Sequence, residues 1–333
     1  MPSKKISITD VARLAKVSIT TVSRVINKVP TVEKENVARV EAAIAELKFK
    51  PNPTAQRLAR GYNNSIGFVI PGFPGIFHSF YAIELIRGIG HACETLQMDL
   101  VFHITDGKNS LRSSVGGIIF ADIIENRRQV EEAIADGTPC MVINNVVKDL
   151  DVSYLAVDNV KGGIVATEYL LNLGHKRIAT VTGNVQTQSG ADRLEGYQKA
   201  LKKEGIAVDP NYIYKGDYSR QSARQAAEQF FSLDNPPTAI FAASDEMALE
   251  IISVAFEKGI RIPEDISILG YDDNPAGMYG PVGLTTIKQP LFQMAEDSVK
   301  ILNEIIQGKK EGPVKKIHVP ELIVRESCGQ PSA

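Results

Sequence analysis

Over the first fifty residues apolar positions recur every three or four places. From Asn63 onward they gather into short runs rich in β-branched residues, alternating with amphipathic stretches. In the first region Ser7 stands before a helical pattern with Asp10 three places on, the S-x-x-D form of a capping box. Val11, Ala12, Leu14 and Ala15 are expected to supply that helix's buried side. Lys16-Val17-Ser18 has room only for a sharp reversal, after which Ser18 caps a second helix reaching to Asn27. Val22, Val25 and Ile26 fall on its inner face, and Ile19, Thr20, Thr21, Ser23 and Arg24 on the outer one. A third helix, over 34–47, repeats Val37, Val40, Ile44 and Leu47 and closes a small core. Two short helices joined by a tight turn form a helix-turn-helix. Hydroxyls, an arginine and an isoleucine on its outer face are the groups that meet phosphates, a guanine edge and a thymine methyl.

In the second region the pattern predicts strands over 66–70, 100–104, 117–120, 141–143 and 154–157, then 178–182, 213–215, 239–242, 267–271 and 284–287. Helices are predicted between them, over 80–96, 127–136, 162–173, 193–204, 221–231, 245–257 and 292–307. Strands apolar on both faces and separated by helices imply parallel, doubly wound sheets. Two such sets imply an α/β fold of two lobes behind an all-α head. Ligands in this architecture bind beyond the carboxyl ends of the strands, here in the cleft between lobes.

Charge sharpens the picture. Residues 1–62 hold twelve Lys or Arg and five Asp or Glu, net +7, whereas the whole chain is −2, leaving −9 on residues 63–333. A basic head on an acidic body is a nucleic-acid footprint. The 44% hydrophobic content is that of a soluble globular protein, and no run of eighteen apolar residues or signal core appears, so a cytoplasmic protein without a membrane partner is expected. Cys93, Cys140 and Cys328 lie far apart and read as reduced thiols.

Catalytic and cofactor signals are missing. Gly72, Gly88-Ile89-Gly90 and Gly162-Gly163 do not make a G-x-G-x-x-G, and there is no H-E-x-x-H or G-x-S-x-G. His78, His91, His103, His175 and His318 are scattered. The expectation is no catalytic residue, no metal and no cofactor. An enzyme or plain sugar-binding protein with an accidental basic head is the alternative from another class.

Thr9-Asp10-Val11-Ala12, Val17-Ser18, Thr21-Val22-Ser23-Arg24-Val25 and the arm Pro51-Asn52-Pro53-Thr54-Ala55-Gln56-Arg57-Leu58 resemble the LacI/GalR family of bacterial transcription regulators. The body carries the resemblance on, in Asp158-Asn159, Leu173-Gly174-His175, Arg193-Leu194, Gly196-Tyr197, Ser244 to Leu249, Gly270-Tyr271-Asp272-Asp273 and Leu284 to Pro290. The family implies a headpiece (1–50) whose second helix lies in the major groove, with Ser18, Ile19, Thr20, Thr21, Ser23, Arg24 and Asn27 at the DNA. It also implies a hinge (51–62) whose Leu58 wedges the minor groove at the operator centre. An effector-binding and dimerisation domain follows (63–333), periplasmic-binding-protein-like, with an N-lobe of 63–159 plus 289–320 and a C-lobe of 160–288 plus 321–333. Glu33 stands where the family caps the third helix with Ser or Thr.

Carried over position by position, the resemblance lines the cleft with Tyr81 or its neighbour Phe80, Asn144, Asp158, Thr187, Ser189, Arg193, Tyr218, Ser244, Asp272 and Leu291. Arg193 and Asp272 offer bidentate, charge-assisted bonds and Tyr218 an aromatic face, which suits a sugar or related polyhydroxy effector. The implied protein is a homodimer on a pseudo-palindromic operator, a repressor whose DNA and effector affinities are coupled. A runner-up in the same fold is a global carbon-catabolite regulator answering to a phosphorylated carrier protein. Lys300 suits such docking on the helix after Gln289-Pro290, whereas Gln293 and Glu304 do not. One segment departs from the family: the twelve residues 105–116 are expected to join two neighbouring parallel strands, yet with Gly107, Asn109 and three serines they make a poor helix where the family has a full one.

Overall fold

The computed structural model describes residues 7–26, 31–47, 49, 64–72, 76–111 and 115–332. The hinge 51–62, with Leu58, and also Asn27 lie outside the described residues.

Three helices build the head: α1 (Ile8–Ala15), α2 (Ile19–Ile26) and α3 (Lys34–Glu46). Asp10 Oδ2 accepts from the Ser7 backbone N–H at 3.0 Å and from its hydroxyl at 2.7 Å, so the expected capping pair is formed. Lys16 takes a left-handed conformation (φ 54°) and turns the chain sharply into α2. Val11, Ala12, Ala15, Val22, Val40 and Ala43 form the core. Leu14, expected inside, is 40% exposed, because α1 has neighbours on one side only and Leu14 falls beyond that stripe. Glu33 precedes α3 without a side-chain cap bond to the backbone, which leaves that helix start less anchored than a Ser or Thr would.

Two six-stranded sheets follow. The first has the order β11-β5-β4-β3-β1-β2, formed by β1 (Ser65–Pro71), β2 (Asp99–Thr105), β3 (Gly117–Phe120), β4 (Cys140–Ile143), β5 (Ser153–Val157) and β11 (Lys315–His318). The second has the order β12-β10-β9-β8-β6-β7, formed by β6 (Ile178–Val181), β7 (Ile213–Tyr214), β8 (Ala239–Ala242), β9 (Ser267–Asp272), β10 (Thr285–Lys288) and β12 (Glu321–Ile323). All pairings are parallel except β10 with β12. Apolar cores cover both faces of each sheet, as the fully apolar strands require. The chain passes between the sheets three times: after β5, after β10 and between β11 and β12.

The structure corrects several expectations. Strands β2 and β3 are not neighbours, since β1 lies between them. Their connection has no helix among its described residues. Leu111 and Val115 instead pack on the core around Phe120 and Val130, and Val115 sits over Gly67, where a Cβ would come within 3.2 Å of it. β11 and β12 were absent from the pattern because β11 is an edge strand with exposed Lys315, Lys316 and Ile317, so it carries no apolar run. Two helices begin earlier than predicted, at Asn159 and Gln188, because their first turns are polar and glycine-bearing and are started by caps rather than by apolar periodicity.

Candidate nucleic-acid interface and ligand cleft

On α2 the Ser18 hydroxyl accepts from the Thr21 backbone N–H at 3.0 Å and lies 2.9 Å from the Thr21 hydroxyl, so these two groups start the helix. Ile19 is 48% exposed, and Thr20 and Arg24 are exposed beside it. Thr21 and Ser23 are half-buried along the same helix. A protruding arginine between a hydroxyl and an apolar side chain, opposite the buried Val22, is a face made for a groove.

Between the sheets, the carboxyl ends of the strands hold a polar cluster. Arg193 is 4% exposed; its Nε donates to Asn159 Oδ1 at 2.9 Å and its Nη1 to the Ala243 carbonyl at 2.5 Å. Its guanidinium stacks 3.7 Å from the Tyr271 ring centre, and the Tyr271 hydroxyl donates to the same Asn159 oxygen at 3.2 Å. Burial works against the Arg193 charge, yet Tyr218, Tyr271 and Asp272 outweigh it and hold the guanidinium charged. Two of the nitrogens expected to meet a ligand are therefore occupied by protein.

Backbone proximity makes this stacking possible. A Cβ on Gly162 would collide with the Tyr271 hydroxyl, one on Gly163 with the Arg193 carbonyl, and one on Gly196 with the Val160 carbonyl. The helices Asn159–Asn172 and Gln188–Lys203 thus touch main chain to main chain at Gly163 and Gly196, while Gly162 leaves room for the Tyr271 hydroxyl.

Asp272 closes β9 and is 9% exposed; Gln289 Nε2 donates to its Oδ1 at 2.6 Å. Burial pushes the Asp272 carboxyl up to about 8, with Arg193 and Gln289 pulling the other way and Asp245 adding to the rise. Asp245 is itself raised to about 6 by burial, although the Thr286 hydroxyl and the Asn274 N–H both donate to it at 2.6 Å. Asn144, Tyr218 and Asp272 have φ of 65°, 69° and 125°, a left-handed region that Tyr and Asp enter only under constraint. Tyr218 packs its ring over Gly183, and its hydroxyl lies 3.2 Å from that of Ser189. From the other sheet Tyr81 donates to the Ala121 carbonyl at 3.0 Å; burial and Asp122 raise its pKa, while bonding from Asn144 and the Arg193 charge oppose that rise.

The structure thus brings Tyr81, Asn144, Ser189, Arg193, Tyr218 and Asp272 to one place. Asp158, Thr187 and Ser244 stand at the cluster's edge as helix caps, accepting from the backbone N–H of Lys161, Gly190 and Met247. Leu291 is 2% exposed and belongs to the apolar core of the first sheet, against which Tyr81 also packs. Sequence reasoning missed Asn159, Gln188, Asp245, Tyr271 and Gln289, although each adjoins or falls within a motif it had singled out.

A model of the lacI family of bacterial regulatory proteins matches residues 7–52, and one of a periplasmic binding protein-like domain matches residues 167–328. The transcriptional repressor PurR of Vibrio atlanticus (strain LGP32) is 33% identical over 333 residues, 96% of this chain and 98% of PurR. The transcriptional regulator DegA of Bacillus subtilis (strain 168) is 32% identical over 335 residues, 97% of this chain and 98% of DegA. The chain belongs to the lacI family. Among solved structures, a lac repressor dimer bound to operator and the anti-inducer ONPF superposes with a TM-score of 0.82 at 28% identity, covering 98% of this chain and 100% of that one. A complex of the regulator CelR with cellobiose gives 0.71 at 28% identity, covering 97% and 99%.

This lacI-family member is a DNA-binding transcription regulator with an effector domain. Catabolite control protein A of Priestia megaterium is 31% identical over 309 residues, covering 90% of this chain and 92% of that protein. On the helix Leu291–Ile306, however, Lys300 is paired with Glu296 at 2.9 Å, and Asp297 and Glu304 lie on the same helix, a poor landing site for a phosphoprotein. Among the described residues no group of three or more His, Cys, Asp or Glu is placed to hold a metal, and no helix is long and apolar enough to cross a membrane.

Proposed function

We propose that this regulator is a cytoplasmic, homodimeric repressor whose two heads read a pseudo-palindromic operator and whose grip is set by a sugar between the two sheets. The division into headpiece 1–50, hinge 51–62 and a two-lobed domain 63–333 is part of that reading. Ser18, Ile19, Thr20, Thr21, Ser23, Arg24 and Asn27 meet the major groove, and Leu58 the minor groove. Tyr81, Asn144, Ser189, Arg193, Tyr218 and Asp272 contact the effector; Asp158, Thr187 and Ser244 fix the helix ends around it. Its chemistry is regulatory binding rather than catalysis.

One observation carries the reading: strained, buried polar residues from both sheets meet at the carboxyl ends of their strands. Strain and buried charge both oppose folding, and they persist where a ligand makes use of them. A ligand preferring one arrangement of the lobes shifts the hinge spacing, and with it DNA affinity. The experiment is an operator titration with and without added sugars, in wild type and Asp272→Ala. The wild type should change operator affinity with a sugar and Asp272→Ala should not; an equal response in both removes the cleft from the mechanism.

A further inference from the structure

One side chain of the second lobe engages both polar backbone groups of a residue in the first. Gln188 Oε1 accepts from the Val146 N–H at 2.7 Å, and Gln188 Nε2 donates to the Val146 carbonyl at 3.2 Å. The pair copies one step of sheet pairing with a side chain in place of a second strand. Turning the amide over would set lone pair against lone pair, so only one orientation keeps both bonds.

Both ends of this contact are rigid. Just past β4, Asn144 takes φ 65° and swings the chain out of the strand; Asn145 Oδ1 then accepts from the Ile123 N–H at 3.2 Å, and Val147 is buried in the core of the first sheet. Gln188 is the first residue of its helix, whose start is fixed by the Thr187 hydroxyl accepting from the Gly190 N–H at 3.2 Å. A Cβ on Gly190 would strike the Asn184 carbonyl, so that turn is tight. The two bonds therefore set the spacing of the lobes and are not absorbed by a yielding loop. One turn along the same helix, burial, Glu195 and Asp158 push the Asp192 carboxyl up, while Arg193 and Lys148 pull it down. Lys148 lies two residues beyond Val146, so the seam between the lobes continues past the clamp.

Resting on the two-lobed regulator reading above, we propose that the Gln188–Val146 clamp latches the lobes of the effector-free chain, and that Gln188 is a positioning residue that sets operator affinity before any effector arrives. Both partners belong to the chain, so the latch closes without help from a ligand. An effector then shifts an equilibrium whose starting point the chain itself has fixed. Gln188 differs in this from a residue that holds the effector: its loss moves the resting state, whereas loss of an effector contact leaves the resting state alone and removes the response.

Hydrogen exchange at the Val146 amide of the full chain, with no sugar added and resolved by fragmentation mass spectrometry, tests the latch. In wild type this amide should exchange at least about tenfold more slowly than a free peptide, and Gln188→Ala should lose about tenfold of that protection. The amides of Ile119 and Ile240, inside the two sheets, should stay as protected as in wild type. Gln188→Glu supplies a conservative rescue, because a carboxylate accepts from the N–H but has no hydrogen for the carbonyl, whereas the protonated acid serves both. Its Val146 protection should therefore be weak at about pH 8 and recover toward wild type at about pH 5, once intrinsic exchange rates are divided out. On an operator selected from random DNA by wild type, Gln188→Ala should shift effector-free affinity by about fivefold, with binding to non-operator DNA unchanged. A wild-type Val146 amide that exchanges like a free peptide overturns the latch. Lost Val146 protection with operator affinity within about twofold of wild type overturns its hold on DNA binding. Misfolding of Gln188→Ala would show at Ile119 and Ile240, and the wild-type exchange and the pH response of Gln188→Glu then decide. Failure of the effector reading looks different: sugars would act equally on wild type and Asp272→Ala, and the Val146 result would stand.

Discussion

The Gln188 side chain holds both backbone groups of Val146: its Oε1 accepts from the Val146 N–H at 2.7 Å and its Nε2 donates to the Val146 carbonyl at 3.2 Å. Val146 follows β4 of the first sheet, while Gln188 opens a helix of the second, so this amide clamps one lobe to the other. Thr187 and Ser189 flank Gln188, and Asn144 lies two residues before Val146, which ties the clamp to the polar cluster between the sheets. Gln188→Ala should lower stability by about 1–2 kcal/mol in urea unfolding, the worth of two such bonds. It should also enlarge the ligand-free particle in small-angle scattering. Unchanged scattering would show that closure does not depend on the clamp.

Arg24 projects from the exposed face of α2. Removing a bidentate guanine contact costs about 1–3 kcal/mol and relaxes one position of each half-site. Arg24→Ala should therefore lose discrimination at a single base pair in a binding-site selection; equal weakening on every sequence would make Arg24 a phosphate contact.

For the hinge, Leu58→Ala should reduce operator bending and specific binding while non-specific affinity, set by the basic head, stays near wild type. Circular-permutation gel shifts read the bend directly, and an unaltered bend would remove Leu58 from the minor groove.

Asp272 links stability to pH. Burial raises its pKa from 3.8 to about 8, so across that window the folded chain keeps a proton that the unfolded chain has released. Its contribution to stability is full below the unfolded value and is lost as pH rises toward 8. Relative to Asp272→Asn, the wild-type melting temperature should fall more steeply between about pH 5 and about pH 8. Parallel curves would mean that Asp272 is ionised throughout.

Gly163 sits where the helices Asn159–Asn172 and Gln188–Lys203 meet main chain to main chain. Gly163→Ala should destabilise by about 1–3 kcal/mol through overpacking, despite the better helix propensity of alanine. Because the clash is with the Arg193 carbonyl, effector affinity should fall with it. A gain in stability would show that the helices can part without cost.

Local chemistry was enough for the head. The Ser7/Asp10 capping pair, the reversal at Lys16-Val17-Ser18 and the face carrying Arg24 depend on residues within a few places of one another, and the sequence displays them all. Apolar runs likewise announced most strands of both sheets, since a strand buried on two faces has no polar position to spare. The edge strand β11 escaped for the opposite reason, its lysines being free to face water. The family resemblance named most of the cleft cluster, but not what each member does there. That Arg193 spends its donors on Asn159 and Ala243, that Gln289 donates to Asp272, and that Gln188 spans to Val146 are relations between residues 17 to 50 places apart. No periodicity encodes them, because hydrogen-bond direction and burial are settled only when two sheets fold and close on one another.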